Sequence, residues 1–101
     1  MESLPTISPM GTLQDVLEAL SDPVRLEMVR RMAAAGAPVA CADLYESVSK
    51  STASHHFKVL REAGLTERTN IGGQTHQRLR LDDLEASFPG VVSSIVAASR
   101  D

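Results

Sequence analysis

A change of periodicity at Gly64 constrains the fold of this chain more than any other feature of the sequence. The segment before it, residues 51–64, spaces its apolar side chains as one face of a helix. The segments after it, residues 65–71 and 75–81, have the character of two strands, joined through Gly72-Gly73-Gln74 as a hairpin with a flexible tip. A helix followed at once by a hairpin predicts a mainly helical α+β domain.

The predicted helix over residues 51–64 has two chemically different faces. Three apolar side chains fall within one narrow arc and are expected to pack inward, namely Ala53, Phe57 and Leu60. The opposite arc is polar and net basic, and it presents Ser51, Ser54, His55, Lys58, Arg61 and Glu62. Ser51 is predicted to cap the start of the helix, and Gly64 to end it. His55 lies on the polar arc, whereas His56 lies nearer Phe57 and is expected to be structural.

Further helices are predicted before this unit. Residues 1–11 are predicted to be a flexible arm, after which Thr12 caps a first helix. Asp22-Pro23 predicts the start of a second helix, because a carboxylate caps well and proline suits the first turn. Gly36-Ala37-Pro38 is expected to end that helix. A short helix is then predicted over residues 42–48, with an apolar side made of Leu44, Tyr45 and Val48.

The C-terminal part combines the second strand with a divided helical region. In that strand Leu79 and Leu81 are expected to point one way, opposite to Arg78 and Arg80. Asp82 or Asp83 is expected to cap the last helical region, and Pro89 to divide it, because proline disrupts a helix interior. The segment after the proline carries an apolar stripe of Val91, Val92, Ile95 and Val96.

Length and composition indicate one small globular domain, assigned to residues 12–101 of the 101, with 43% hydrophobic and 23% charged residues. No apolar run approaches the roughly 18 residues of a membrane-spanning helix, so no membrane partner is expected. The N-terminus has neither the basic region nor the apolar stretch of a signal peptide. The single cysteine, Cys41, cannot form an intrachain disulfide. A cytoplasmic location is therefore expected.

The formal net charge of −3 conceals an uneven distribution of charge along the chain. Residues 50–80 carry six lysines and arginines against two glutamates, whereas the segments on either side are net acidic. The three histidines lie in the same middle block, at positions 55, 56 and 76. A basic block within an acidic protein suggests a surface for a polyanion. A solvated charged face is the alternative.

Two short helices, the second with a basic outer face, followed by a hairpin are the parts of a winged helix-turn-helix. Such a helix can enter the major groove of double-stranded DNA while nearby lysines and arginines neutralise phosphates. The predicted contacts to bases or phosphates at the helix start are Ser51, Thr52, Ser54 and His55. The predicted backbone contacts are Lys50, Lys58 and Arg61. The predicted contacts from the hairpin are Gly73, Gln74 and Arg78.

Two separated motifs resemble those of one protein family. Leu20-Ser21-Asp22-Pro23-Val24-Arg25-Leu26 resembles the L-x-D-P-x-R-L helix start of the ArsR/SmtB transcriptional repressors, and the segment from Lys50 to Leu65 resembles their recognition helix. The resemblance covers residues 12–98 and continues through Gly72-Gly73 and the strand after it. It implies a winged-helix homodimer that represses transcription from a palindromic operator and releases DNA when an effector binds.

The resemblance also implies that the first and last helices form the dimer interface. The apolar residues that fit this role are Leu13, Val16, Leu17, Val91, Val92 and Ile95. Packing within the core of a single chain would equally explain their apolar character.

The metal-binding residues of the family's metal sensors are not found at the matching positions. Those sensors carry a cysteine pair around one residue just before an Asp-Leu pair, and here Ala40 and Ala42 flank Cys41 before Asp43. A second familiar site uses carboxylates and histidines of the last helix, and no histidine follows His76. One cysteine cannot supply the several nitrogen or sulfur ligands of a zinc site. No metal and no other cofactor is therefore predicted.

The sequence leaves other functions open. Cys41 is most simply a small buried hydrophobe, and a thiol-responsive regulator is the alternative. Enzyme activity is not predicted, because only Cys41 with His55 or His56 offers a nucleophile and a base. A winged helix that binds a protein partner is a further alternative, although polar residues at the helix start favour DNA over apolar anchors. An effector, either a small molecule or a protein, is left unidentified.

Overall fold

The structure is a computed structural model that describes residues 9–99. Along this range the chain forms α1 (Leu13–Leu20), α2 (Pro23–Ala35), β1 (Val39–Ala40), a 3-10 turn (Cys41–Asp43), α3 (Lys50–Glu62), β2 (Thr66–Ile71), β3 (Gln74–Leu79), α4 (Leu81–Ser87) and α5 (Val91–Ala98). The three strands form one antiparallel sheet in the order β1-β3-β2. This arrangement confirms the predicted mainly helical α+β architecture. Most of the predicted N-terminal arm, residues 1–8, lies outside the described residues.

The first two helices begin as their sequences predict. The Thr12 hydroxyl accepts the amide hydrogen of Asp15, and the Asp15 carboxylate in turn accepts from the Thr12 amide, which forms a capping box. Asp22 caps α2 through Oδ1, which accepts from the amides of Val24 at 2.8 Å and Arg25 at 3.1 Å. Proline follows at the first helical position, where its missing N–H costs no hydrogen bond. The helix ends at Gly36, which has the left-handed backbone conformation (φ 63°).

The short helix predicted over residues 42–48 is wrong. The chain forms only the 3-10 turn Cys41–Asp43 and then a series of bends up to Ser49. The apolar side chains predicted for that helix still face inward, since Leu44 is fully buried and Tyr45 and Val48 pack against the core. The apolar spacing of this short segment therefore predicted correctly which residues are buried. It did not predict the local backbone structure, which is not a helix.

The recognition helix begins two residues earlier than predicted. Ser49, not Ser51, is the N-cap, and its hydroxyl accepts the amide hydrogen of Thr52 at 3.2 Å. The helix ends at Glu62, and Gly64 follows with φ 88°, a backbone conformation that side chains disfavour. A β-carbon at Gly64 would also lie 2.9 Å from Met10 Sδ. The predicted role of Gly64 in ending the helix is therefore confirmed.

The hairpin is confirmed, but the sheet has a third strand that the sequence did not predict. Gly72 and Gly73 form the turn with φ values of 59° and 84°, and Gln74 is already the first residue of β3. The two-residue strand β1 pairs with β3 on its other side, with Val39 opposite Gln77. Two residues carry no alternation that a sequence pattern could reveal.

The second strand ends at Leu79, two residues before the predicted end. Arg80 is buried as the N-cap of α4, and Leu81 is exposed within that helix, so the predicted alternation of these two side chains is wrong. Neither Asp82 nor Asp83 caps α4, because both lie in its first turn. The predicted division of the last helical region at Pro89 is confirmed by the break between α4 and α5.

A single core lies where the helices meet the sheet. Its largest fully buried apolar side chains are Met28, Met32, Leu44, Leu60, Leu65 and Leu84. Val16 of α1 and Val92 of α5 belong to the same core and have no exposed surface. Among the described residues, no helix has the length and apolar character needed to cross a membrane.

Candidate nucleic-acid interface

The outer face of α3 is polar and exposed, as the helical spacing predicts. Its exposed residues include six of the predicted DNA contacts, Lys50, Ser51, Thr52, Ser54, His55 and Lys58. The opposite face is buried through Ala53, His56, Phe57 and Leu60. The structure therefore brings the predicted helix residues together on one accessible surface, while Arg61 lies half-buried at its edge.

The start of α3 carries a cluster of hydroxyl groups. The Ser49 hydroxyl lies 3.2 Å from the Ser51 hydroxyl and donates to Thr52 Oγ1 at 3.1 Å. These contacts order the first turn, whose free amide hydrogens and positive dipole end favour an anion. Lys50 lies in the same turn and adds a full positive charge. This end of the helix is chemically suited to a DNA phosphate.

Arg25 and His56 hold α3 against the first two helices. Arg25 Nη1 lies 3.0 Å from His56 Nδ1, and Arg25 Nε donates to the carbonyl oxygen of Ala19 at 2.7 Å. His56 is only 8% exposed, which confirms its predicted structural role and separates it from the exposed His55. The rings of Tyr45 and Phe57 meet edge to face, with centroids 6.2 Å apart, and fix the other side of the helix.

An arginine that no sequence pattern singled out fixes the segment before α3. Arg31 of α2 bonds the Glu46 carboxylate at 2.5 Å and the carbonyl oxygen of Asp43 at 3.2 Å, while its Nε donates to Glu27 at 2.8 Å. Hydrogen bonds from Arg31 and Arg30 lower the pKa of Glu27, and a hydrogen bond from Arg31 lowers the pKa of Glu46. The nearest sequence signal is the i, i+4 spacing of Glu27 and Arg31. The bond to Glu46 spans 15 positions and has no local signature.

The wing presents the predicted residues unequally. Gly73 and Gln74 are exposed at its tip, and Asn70 Oδ1 accepts the amide hydrogen of Gly73 at 3.1 Å. Arg78 lies further along β3, where its Nε donates to the Glu67 carboxylate at 2.6 Å. Its charge is therefore partly neutralised within the sheet. The exposed Arg68 of β2 has no such partner within residues 9–99, and no pattern in the sequence predicted it.

The six residues predicted for a dimer interface fall into two groups. Val16 and Val92 are fully buried within the chain, which corrects their assignment, because they have no surface to offer a second copy. Leu13 and Leu17 of α1 are 42% and 45% exposed, and Val91 and Ile95 of α5 are half-buried. Both helices pack against α2.

The single cysteine lies beneath this surface rather than on it. Cys41 is half-buried, and Gln77 Nε2 donates to its Sγ at 3.8 Å. Burial raises the pKa of the Cys41 thiol, so the thiol stays protonated at neutral pH. Reactive cysteines have the opposite property, a lowered pKa. Across residues 9–99, no three histidine, cysteine or acidic side chains form a group that could hold a metal ion.

Comparisons with known proteins agree with this geometry. Residues 20–69 match the family described as a helix-turn-helix domain. Over 82 residues the chain is 35% identical to the uncharacterized HTH-type transcriptional regulator YceK of Bacillus subtilis (strain 168), covering 79% of this chain and 82% of that protein. The fold is similar to the crystal structure of the transcriptional repressor BigR from Xylella fastidiosa, with 25% sequence identity and a TM-score of 0.66. The match covers 88% of this chain and 87% of the BigR chain. An ArsR-like transcriptional regulator from Rhodococcus sp. RHA1 matches 85% of this chain and 80% of its own, with 25% identity and a TM-score of 0.64.

Proposed function

Because the chain belongs to the ArsR-like winged helix-turn-helix transcriptional regulators, which bind DNA and are not enzymes, we propose that it is a homodimeric repressor of a palindromic operator. The observation that carries this proposal is the division of α3 into a buried apolar face and an exposed face of hydroxyl, imidazole and ammonium groups. Such a face matches the hydrogen-bonding pattern of base edges in the major groove.

The residues of this face take two roles in the proposal. His55, Ser54 and Thr52 read bases or position the helix start on a phosphate, whereas Lys50 and Lys58 neutralise the DNA backbone. Gly73 and Gln74 at the wing tip follow the adjacent groove. Arg78 contributes less than predicted from sequence, because Glu67 already occupies its guanidinium.

The homodimer is supported by the apolar side chains that α1 leaves exposed. Leu13 and Leu17 lie one helical turn apart and form an apolar stripe that is exposed to solvent in a single chain. A second copy related by a two-fold axis would bury the same stripe on both chains. Its two α3 helices would then enter successive major grooves about 34–36 Å apart, which requires a two-fold symmetric site.

Repression is proposed by analogy with BigR, which is described as a transcriptional repressor. A dimer seated across a promoter blocks access of the transcription machinery without any catalytic step. The single cysteine, which carries no disulfide within the chain, is consistent with action in the reducing cytoplasm.

The experiment that tests the proposal is selection of binding sites from randomised DNA duplexes by the purified protein. The recovered site is then titrated by fluorescence anisotropy against a scrambled duplex at several salt concentrations, and the mass of the protein is measured alongside. We expect a palindromic consensus, a dimer, and a preference for the consensus of about a thousandfold or more. A consensus without two-fold symmetry, or a monomer at binding concentrations, would refute the dimer. No binding at low salt would refute the DNA function.

A further inference from the structure

A cavity of about 220 Å³ lies between α3 and the wing sheet. Lys50 and Arg61 line it from α3, Arg68 from β2 and Gln77 from β3, and Cys41 lines it from the 3-10 turn. Its volume is below the roughly 300–1,000 Å³ of sites for drug-sized ligands. The cavity therefore suits a small ligand, and it adjoins the exposed face of α3 through Lys50 and Ser54.

Arg61 and Arg68 give this cavity an unusual electrostatic character. Over residues 9–99, the other arginines all bond a neighbouring carboxylate, carbonyl oxygen or ring nitrogen, whereas these two have no hydrogen-bond partner. Burial lowers the pKa of Arg61, and the positive charge of Arg68 lowers it further. Two guanidinium groups that repel each other at one cavity are stabilised when an anion binds both.

Gln77 is an independent observation that points to a ligand. Its side chain is among those that line the cavity, yet it is only 1% exposed. Nε2 donates to Cys41 Sγ, but Oε1 has no hydrogen-bond partner among the described residues. Buried carbonyl oxygens in proteins are almost always paired with a donor. A ligand that pairs this oxygen must itself carry a hydrogen-bond donor.

The remaining walls are compatible with an anion. Burial keeps the Cys41 thiol protonated, so it adds no negative charge to the cavity. The hydroxyl-bearing side chains of Tyr45, Ser54 and Thr75 line the same space. Within residues 9–99 no carboxylate lines the cavity, so none of its described walls competes with a ligand for the two arginines.

We propose that this cavity binds a small oxyanion that carries an acidic hydroxyl group, of which hydrogen phosphate is the simplest member. Arg61 and Arg68 pair with the charged oxygens, and a rotation of the buried Gln77 side chain toward the cavity lets its Oε1 accept from the hydroxyl. The phosphodiesters of DNA have no such hydroxyl, and neither does sulfate at neutral pH. The site therefore distinguishes a free phosphate from both.

Occupation of the cavity by the anion should weaken DNA binding. The bound anion neutralises two positive charges of the basic block beside α3, and fewer positive charges mean weaker binding to phosphates. Binding linkage is reciprocal, so DNA should weaken the anion's affinity by the same factor. This regulatory step rests on the proposed DNA function, whereas anion binding itself does not.

Anion binding is tested on the full-length protein without DNA. The ¹⁵N-labelled protein is titrated with sodium phosphate, and separately with sodium sulfate at matched ionic strength, while the amide signals of residues 61, 68 and 77 are followed by NMR. We expect saturation with phosphate and affinity for sulfate weaker by about tenfold or more. Absence of saturable phosphate binding overturns the proposal. Equal affinity for the two anions also overturns it, because the hydroxyl would then contribute nothing.

Three variants locate the site. Arg61→Gln and Arg68→Gln should each weaken phosphate binding by about tenfold or more. Arg30→Gln is the matched control, since it removes the same charge from α2, where Arg30 pairs with Glu27 away from the cavity. It should leave phosphate affinity unchanged. Equal losses in all three variants would show a nonspecific charge effect and overturn the proposed site.

A final comparison separates this inference from the DNA function. DNA affinity is measured by anisotropy in phosphate and in sulfate buffers of equal ionic strength, and phosphate should weaken it more for the wild type than for Arg68→Gln. If the protein binds no DNA, the proposed function fails while the NMR titration still decides the anion site. If a DNA duplex shifts the signals of residues 61 and 77 and phosphate does not, the cavity holds a DNA phosphodiester and the inference is overturned.

Discussion

Replacement of Asp22 by alanine should destabilise the protein through loss of the α2 cap. The Asp22 carboxylate accepts two amide hydrogen bonds, at 2.8 and 3.1 Å, and alanine has no side-chain acceptor to replace them. Loss of an N-cap costs about 0.5–2 kcal/mol of folding free energy. We expect the upper half of this range, about 1–2 kcal/mol, because one side chain satisfies two donors. For a domain of this size, each kcal/mol lowers Tm by about 4–8 °C.

The pH dependence of this effect has a defined sign. Desolvation by burial raises the pKa of Asp22, but the hydrogen bonds from the amides of Arg25 and Val24, together with electrostatic attraction to Arg25 and His56, outweigh it, so the pKa lies below its ordinary value of 3.8. A lowered pKa in the folded state gives stability that is present above the unfolded pKa and is lost as pH falls through the folded one. The difference in stability between wild type and Asp22→Ala should therefore be constant near neutrality and shrink below about pH 4.

The assay is urea unfolding at fixed protein concentration, repeated from neutral pH to about pH 3. Asp22→Asn is the matched control, because asparagine caps as well as aspartate but has no charge to titrate. It should stay within about 0.5 kcal/mol of the wild type at neutral pH. Equal losses in the two variants would refute the capping argument and assign the effect to charge. Wild-type stability in Asp22→Ala would refute the role of the side chain altogether.

Four further substitutions and one chemical test have expected outcomes. Lys58→Ala should weaken binding to all DNA sequences and reduce the salt slope of log K by about one unit, whereas His55→Ala should relax base preference in competition anisotropy; the reverse pattern would exchange their roles. Gly64→Ala should lower stability in urea by about 1–3 kcal/mol, since φ is 88° and a β-carbon would approach Met10; a neutral result would contradict this geometry. Arg31→Ala should increase amide hydrogen exchange in residues 43–48 while leaving α5 unchanged, and unaltered exchange there would refute the bracing role. Cys41 should react with iodoacetamide more slowly than free cysteine at neutral pH, because burial raises its pKa; a faster reaction would revive a thiol-responsive role.

Sequence periodicity predicted the elements whose structure depends on neighbours along the chain. The two faces of α3, the different environments of His55 and His56, and the break at Pro89 follow from helical spacing and proline geometry alone. The Asp22-Pro23 start of α2 was predictable for the same reason, since capping acts over three residues.

The errors arose where contacts between distant residues decide the local structure. The segment predicted as a helix over residues 42–48 is instead bound to α2 by Arg31, through its bonds to Asp43 and Glu46. Strand β1 forms because β3 offers a free edge, not because two residues have intrinsic strand character. Val16 and Val92 were assigned to a dimer interface because an apolar residue looks the same whether its own chain or a second copy covers it.

The candidate site was predictable only in part, for a similar reason. The six exposed residues of α3 that are proposed to contact DNA lie on one helix, so the sequence places them on one surface. The cavity that adjoins them combines Cys41, Arg61, Arg68 and Gln77, which come from four different elements. These side chains come together only through the pairing of the strands and the packing of α3 against the sheet. No spacing in the sequence predicts that they are neighbours.

The contacts of Arg25 have a consequence for how a two-fold regulator measures distance along DNA. In the proposed homodimer the path from the symmetry axis to the bases runs through α1 and then α3. Arg25 joins these two helices rigidly, with one bond of 2.7 Å to Ala19 and another of 3.0 Å to His56. The distance between the two α3 helices of the dimer is then fixed by the protein. The spacing of the operator half-sites must match this distance, and insertion of a single base pair between them would rotate the second major groove away from the second α3 helix.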